Sequence, residues 1–191
     1  MRSLISLGCL ALAVPAMAQS EQATEAAKPK TKLEAFVAQD GAVIVQGFSK
    51  IGEVKGQYGS SVTVESKEFT NASSGKKEYG ITVQVQEKAR LEREHTSYVD
   101  LEEIPSLLKG LEYIEKVDKS ATALENFQAD YRTRGDLRIS TFSTTGGISV
   151  GVSSGTIGRT NAFLPLADLP RLRALIESAQ ATLAKIRGGP K

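Results

Sequence analysis

Ser97-Tyr98-Val99-Asp100-Leu101-Glu102-Glu103-Ile104-Pro105-Ser106-Leu107-Leu108 and, further along, Asn161-Ala162-Phe163-Leu164-Pro165-Leu166-Ala167-Asp168-Leu169-Pro170-Arg171-Leu172 read as two copies of one stretch. A constant offset pairs Tyr98 with Phe163, Val99 with Leu164, Leu101 with Leu166, Ile104 with Leu169, Pro105 with Pro170 and Leu107 with Leu172. Each copy takes an aromatic-aliphatic step, suited to a strand, through a proline-marked corner into a helix. Proline is harmless only near a helix start, where backbone N–H groups lack intrahelical partners. The first helix should therefore begin between Asp100 and Glu103, with its acids at the positive end of the dipole.

Downstream of each corner the period is helical. Ile104, Leu107, Leu108, Leu111 and Ile114 share one face, and Lys109, Glu112, Glu115 and Lys116 the other. Leu169, Leu172, Ile176, Ala179, Leu183 and Ile186 form the second stripe, which stops before Gly188-Gly189-Pro190.

Upstream of each corner the period is two. Val62 and Val64, then Ile81, Val83 and Val85, alternate with polar residues around a loop at Asn71 to Gly75, and a run from Leu91 to Val99 enters the first corner. Ala42 to Phe48 reads as a buried strand with a glycine bend, and Leu33 to Val37 as a short helix or an extended lead-in. In the second half Phe127, Ala129 and Tyr131 alternate with Gln128, Asp130 and Arg132. A turn at Arg134-Gly135 starts Leu137-Arg138-Ile139, Gly146-Gly147 closes a hairpin onto Ile148, Val150 and Val152, and a strand from Ile157 to Leu164 enters the second corner.

The chain is thus an α+β protein of two β-β-β-β-α repeats, about 50–120 and 126–188, each an antiparallel meander followed by an amphipathic helix. One unit cannot cover its own apolar sheet face, which favours a single pseudo-symmetric domain over 33–188.

Residues 1–18 have the build of a secretory signal peptide: Arg2, an apolar run from Leu4 to Val14, and Ala16-Met17-Ala18 before Gln19. The run is too short for a permanent membrane anchor, so an exported protein, periplasmic or secreted, is expected. Cys9 is the only cysteine and lies within that run, so the exported chain would have no disulfide or thiolate chemistry. Residues 19–32 hold no apolar side chain larger than alanine and read as a flexible linker. With Arg2 removed, the 24 basic residues fall by one against 22 acidic ones, a net charge of about +1. No global field recruits a polyanion, which disfavours a nucleic-acid partner. A protein partner or a homo-oligomer stands open. No cofactor and no metal site is expected.

Candidate chemistry is sparse. Gly151-Val152-Ser153-Ser154-Gly155 matches the spacing of a hydrolase nucleophile elbow, but no histidine follows it and strand follows strand, so a glycine-flanked turn is expected. His95 is the only histidine, between Glu94 and Thr96 on a strand, and its repeat counterpart is Thr160. Glu102, Glu103 and Asp168 are helix-start acids rather than a catalytic pair. The remaining group is cationic and aromatic: Tyr131, Arg132, Arg134, Arg138 and Arg159, with Lys76 and Lys77 in the first repeat. Backbone charge and base stacking are what binding of single strands uses. The competing reading turns Tyr131 to the core and makes the arginines strand partners of Asp130 and Asp136.

The duplicated plan resembles the Whirly-type fold of plant single-stranded-DNA-binding proteins and related transcription cofactors. The likeness rests on Asp136 to Leu175, where a meander with a glycine hairpin leads through Asn161 to Leu166 into a helix, and on Glu78 to Leu111. It implies single-strand binding. The lysine-glycine-lysine-alanine motif of that family has no match in the chain. Ser154 to Thr160 and Leu164 to Leu169 also resemble segments of exported bacterial proteins of unknown function, which implies no activity. The function expected is that of a non-catalytic exported binding or structural module. Whirly-like single-strand binding is the first alternative, and a hydrolase using carboxylates or Ser153 the second.

Overall fold

The computed structural model describes residues 28–88 and 92–188. The expected signal peptide, most of the expected linker, Leu91 and Gly189-Pro190 lie outside the described residues. The chain forms two four-stranded antiparallel sheets, each followed by a helix. A short helix α1 (Lys32–Val37) precedes the first sheet, made of β1 (Ile44–Lys55), β2 (Ser61–Asn71), β3 (Lys77–Lys88) and β4 (Glu92–Asp100), which leads to α2 (Ile104–Lys116). The second sheet holds β5 (Gln128–Arg132), β6 (Arg138–Thr144), β7 (Gly147–Ser154) and β8 (Thr160–Pro165), and leads to α3 (Leu169–Gly188). Both sheets are plain meanders with neighbours in sequence order.

The two corners fold alike. A 3-10 turn over Leu101–Glu103 precedes α2, and one over Leu166–Asp168 precedes α3. The paired residues Val99 and Leu164, Ile104 and Leu169, and Leu107 and Leu172 are all fully buried.

The helices are exchanged between the repeats. α2 packs on β5 and β6, whereas α3 packs on β1, β2 and β3, and the two helices touch each other. Ser66 of β2 donates to Ala179 O of α3 at 3.2 Å, and Tyr131 of β5 meets Ser106 of α2 at 2.8 Å between hydroxyls. Val62, Val64, Val83 and Val85 of the first sheet, Ile139, Val150 and Val152 of the second, and the apolar stripes of both helices join in one buried cluster.

The outer face of the first sheet has its own cover. Leu33 and Phe36 of α1 bury Phe69 and pack against Tyr98. The buried Asp100 carboxylate holds α1 in place, accepting from Lys32 N at 3.0 Å and Leu33 N at 3.1 Å. Thr31 and Glu34 close a capping box at the same helix start. The expected flexible linker therefore gives way to docked chain by Thr31, because Thr-x-x-Glu satisfies the first-turn N–H groups. Leu33 to Val37 is the helix rather than the extended lead-in.

Two strand expectations are corrected. Ala42 to Phe48 is not buried: β1 is one continuous edge strand whose residues 45–50 are exposed, because the main buried cluster takes in only Ile51 and Val54 of its second half. Ile157 is not in a strand but in the loop before β8, and 95% exposed.

Candidate functional site

Strand alternation divides the residues of the second sheet between its faces. Tyr131, Ile139, Val152 and Ala162 lie abreast across the four strands and point to the core. One position along, Asp130, Ser140 and Gly151 lie abreast with Phe163 on the outer face. The outer face holds a shallow cavity of about 200 Å³, lined by Gln128, Arg138, Ser140, Phe142, Gly151, Ser153, Arg159, Asn161 and Phe163.

Phe142 and Phe163 meet edge to face, with ring centroids 6.5 Å apart. Gly151 lies between them, and a Cβ there would come within 3.5 Å of Phe142 and 3.9 Å of Phe163. Phe163 remains 40% exposed. Its repeat counterpart Tyr98 is half-buried under α1, and Asp100, which docks α1, is matched at the corresponding position by Pro165, which accepts nothing through its side chain. The two repeats thus differ in cover, and the bare aromatic face belongs to the second.

The charges on this face are unequally committed. Arg138 grips Asp130 with two donors, Nε to Oδ1 at 3.0 Å and Nη2 to Oδ2 at 2.8 Å. Ser140 and Gln128 donate to the same carboxylate. Burial would push the Asp130 carboxyl up, but the hydrogen bonds from Arg138, Ser140 and Gln128 outweigh it and hold it lowered to about 2, against an ordinary 3.8. Arg159 reaches only the carbonyl of Gly155, through Nε at 3.4 Å, and has no carboxylate within ion-pair distance among the described residues.

The depressed Asp130 carboxyl sets a pH dependence. A group whose folded-state value lies below its unfolded value contributes stability above the unfolded value and loses it as pH falls through the folded one. Asp130→Asn should therefore be less stable than the parent near neutral pH, with the gap closing between about pH 4 and about pH 2. The pair is partly exposed, so the gap should stay within about 1 kcal/mol. Thermal melts of both proteins across that range measure it; a gap independent of pH would show that Asp130 owes nothing to its ionised form.

The seven cationic and aromatic candidates are dispersed. Arg138 and Arg159 line the cavity, and Arg132 sits on the same face, in register with Arg138. Tyr131 is on the opposite face, half-buried against Gly110 of α2. Arg134 lies in the β5–β6 turn, where its backbone N–H donates to Glu103 Oε1 at 2.9 Å. Lys76 and Lys77 belong to the first sheet's β2–β3 hairpin: Lys77 bonds Glu68 at 2.8 Å, and Lys76 lies 3.9 Å from Glu78. The aromatics that do share the arginines' face are Phe142 and Phe163. Their signal was parity, since Arg138, Ser140 and Phe142, like Asn161 and Phe163, stand two apart.

Ser153 and His95 do not meet. Gly151 to Ser154 is the end of β7 rather than a turn, and the chain bends only at Gly155, where φ is +91°. Ser153 consequently faces the outer cavity, while Ser154 faces inward and lies 2.8 Å from His95 Nδ1 and 2.6 Å from Ser97 Oγ. The His95 imidazole and the two serine hydroxyls join β4 to β7, with no carboxylate bonded to them among the described residues. Among the described residues no group of three or more His, Cys, Asp or Glu converges as a metal site would require, and no helix is long and apolar enough to cross a membrane.

No protein-family model matches the chain, and no curated protein does.

Proposed function

We propose that the protein is a non-catalytic exported binding module that takes its ligand on the outer face of the second sheet. The observation that carries this reading is the uncovered Phe142–Phe163 pair beside the uncommitted Arg159, at the place where the first repeat is sealed by α1. Aromatic edges and a bare glycine floor suit a flat or ring-shaped group, Arg159 suits an anionic one, and the Gln128 and Asn161 amides supply both donors and acceptors. The ligand class that fits is a ring-bearing anion.

A single-stranded nucleic acid is a second reading within that class. It is favoured by Arg132, Arg138 and Arg159 sharing a face with Phe163, and weakened by the pairing of Arg138 with Asp130. Titration of the protein with a labelled single-stranded oligonucleotide and with an acidic oligosaccharide, at low and raised salt, separates the two. Phe163→Ala and Arg159→Ala should each weaken the bound probe by about tenfold or more, since stacking on one aromatic contributes about 1–3 kcal/mol. An oligonucleotide that fails to bind at low salt excludes the second reading, and one whose affinity falls steeply with salt supports it. Binding of either probe left intact by both substitutions would place the ligand elsewhere.

A further inference from the structure

The first half of β1 is an open sheet edge with an apolar surface. Val43, just before the strand, is 67% exposed, Val45 56% and Phe48 68%, and Ile186 near the end of α3 is 47% exposed. A groove of about 300 Å³ follows this edge, lined by Gly47, Phe48 and Ser49 of β1, Ser66 of β2, and Leu183 and Ile186 of α3. β1 has 12 residues, whereas β5, in the corresponding place in the second repeat, has 5, so this overhang has no counterpart there.

The direction of its hydrogen-bonding groups follows from one contact. Val43 O accepts from Ala72 N at 2.9 Å. In an antiparallel pair bonded positions recur every two residues. Val43, Val45, Gly47 and Ser49 therefore bond inward to β2, and Ile44, Gln46, Phe48 and Lys50 aim N–H and C=O away from the sheet.

The other three edges are defended. β4 starts with Glu92-Arg93-Glu94, β5 is short and carries Asp130 and Arg132, and β8 has 6 residues and ends on Pro165. Charge, proline and shortness are the usual guards against edge pairing. The run from Gly41 to Ser49 has none of them: it contains no charged residue and no proline.

We infer that β1 pairs with β1 of a second copy of this chain, antiparallel about a two-fold axis near Gln46, making one continuous eight-stranded sheet from the two first sheets. A two-fold interface must be compatible with itself. The uncharged run meets that condition, because a pairing centred at Gln46 sets Phe48 against Ile44 and Val43 against Ser49 and brings no like charges face to face. Lys50, the first charge reached, falls opposite Ala42. The outward N–H and C=O groups then find partners across the axis, Gln46 with Gln46 of the second copy and Ile44 with its Phe48.

Sedimentation of the full chain across a wide concentration range tests this, with two variants. Gln46→Pro removes a donor that points away from β2, so it spares the β1–β2 ladder and deletes a bond from each copy of the dimer. Phe48→Lys leaves the backbone alone and sets a charge into the seam, and it covers the case in which the proline variant fails to fold. The parent should sediment as a dimer, and each variant, folded by circular dichroism, should dissociate at concentrations at least about tenfold higher. A parent that is monomeric throughout overturns the inference and leaves the edge to a strand of another protein. A dimer unaffected by both folded variants overturns it too, since the interface would then lie elsewhere.

Discussion

Leu107→Ala and Leu172→Ala are each expected to cost about 2–5 kcal/mol, the range for emptying a fully buried leucine site, and to do so within one shared unfolding transition. Both side chains are fully buried in the same cluster. The exchange of helices makes the coupling specific. α2 belongs to the first repeat yet covers β5 and β6, and α3 belongs to the second yet covers β1 to β3. Unfolding either repeat alone would strip the helix from the other sheet and expose its valines and isoleucines to water. Denaturant unfolding followed by far-UV circular dichroism should show a lower midpoint and an unchanged slope for both variants. Two separated transitions, each moved by only one substitution, would mean that the repeats fold autonomously despite the exchange.

The repeat, the strand order and the corners were legible because they rest on local periodicity. Val83 and Val85 had to share a face, and Pro105 and Pro170 had to sit at helix starts. The helix exchange was not legible, because an apolar stripe such as Ile104-Leu107-Leu111 says that it must be covered and not by which sheet. The overhang of β1 was not legible for a related reason. Val43-Ile44-Val45 is as apolar as a core strand, and only the reach of the main buried cluster distinguishes a covered run from a bare one. At the candidate site, charge alone points to Arg138 and Arg159, and the competing reading holds for Tyr131 and Arg138: parity turns Tyr131 to the core face, and Arg138 is the strand partner of Asp130. Phe142 and Phe163 have the right parity, but no local pattern reveals their exposure, which follows from α1 covering one repeat only.

Gly135→Ala is expected to be destabilising by about 1–3 kcal/mol, as for an overpacked site, although alanine usually reduces the entropy of the unfolded chain and so favours folding at tolerant glycines. The β5–β6 turn is seated against β4. A Cβ on Gly135 would overlap the carbonyl oxygen of Tyr98 and come within 3.1 Å of its carbon and 3.2 Å of Thr31 Cγ2. A backbone carbonyl in a strand cannot rotate aside as a side chain can. The turn is also fixed from its own side: Thr133 N donates to Leu137 O at 2.9 Å, Leu137 N to Thr133 Oγ1 at 3.1 Å, and Asp136 adopts a left-handed φ of 60°. Lifting it would take the Arg134 N–H from Glu103, a carboxyl that burial already pushes up and whose Oε2 has no hydrogen-bond partner among the described residues. Gly146, in the next hairpin of the same sheet, is the control, because a Cβ there would have nothing within 4 Å. Gly146→Ala should leave stability within about 0.5 kcal/mol of the parent, as for an unconstrained surface position. Thermal melts of the two variants side by side decide the matter. Equal midpoints would mean that the turn is not held against β4.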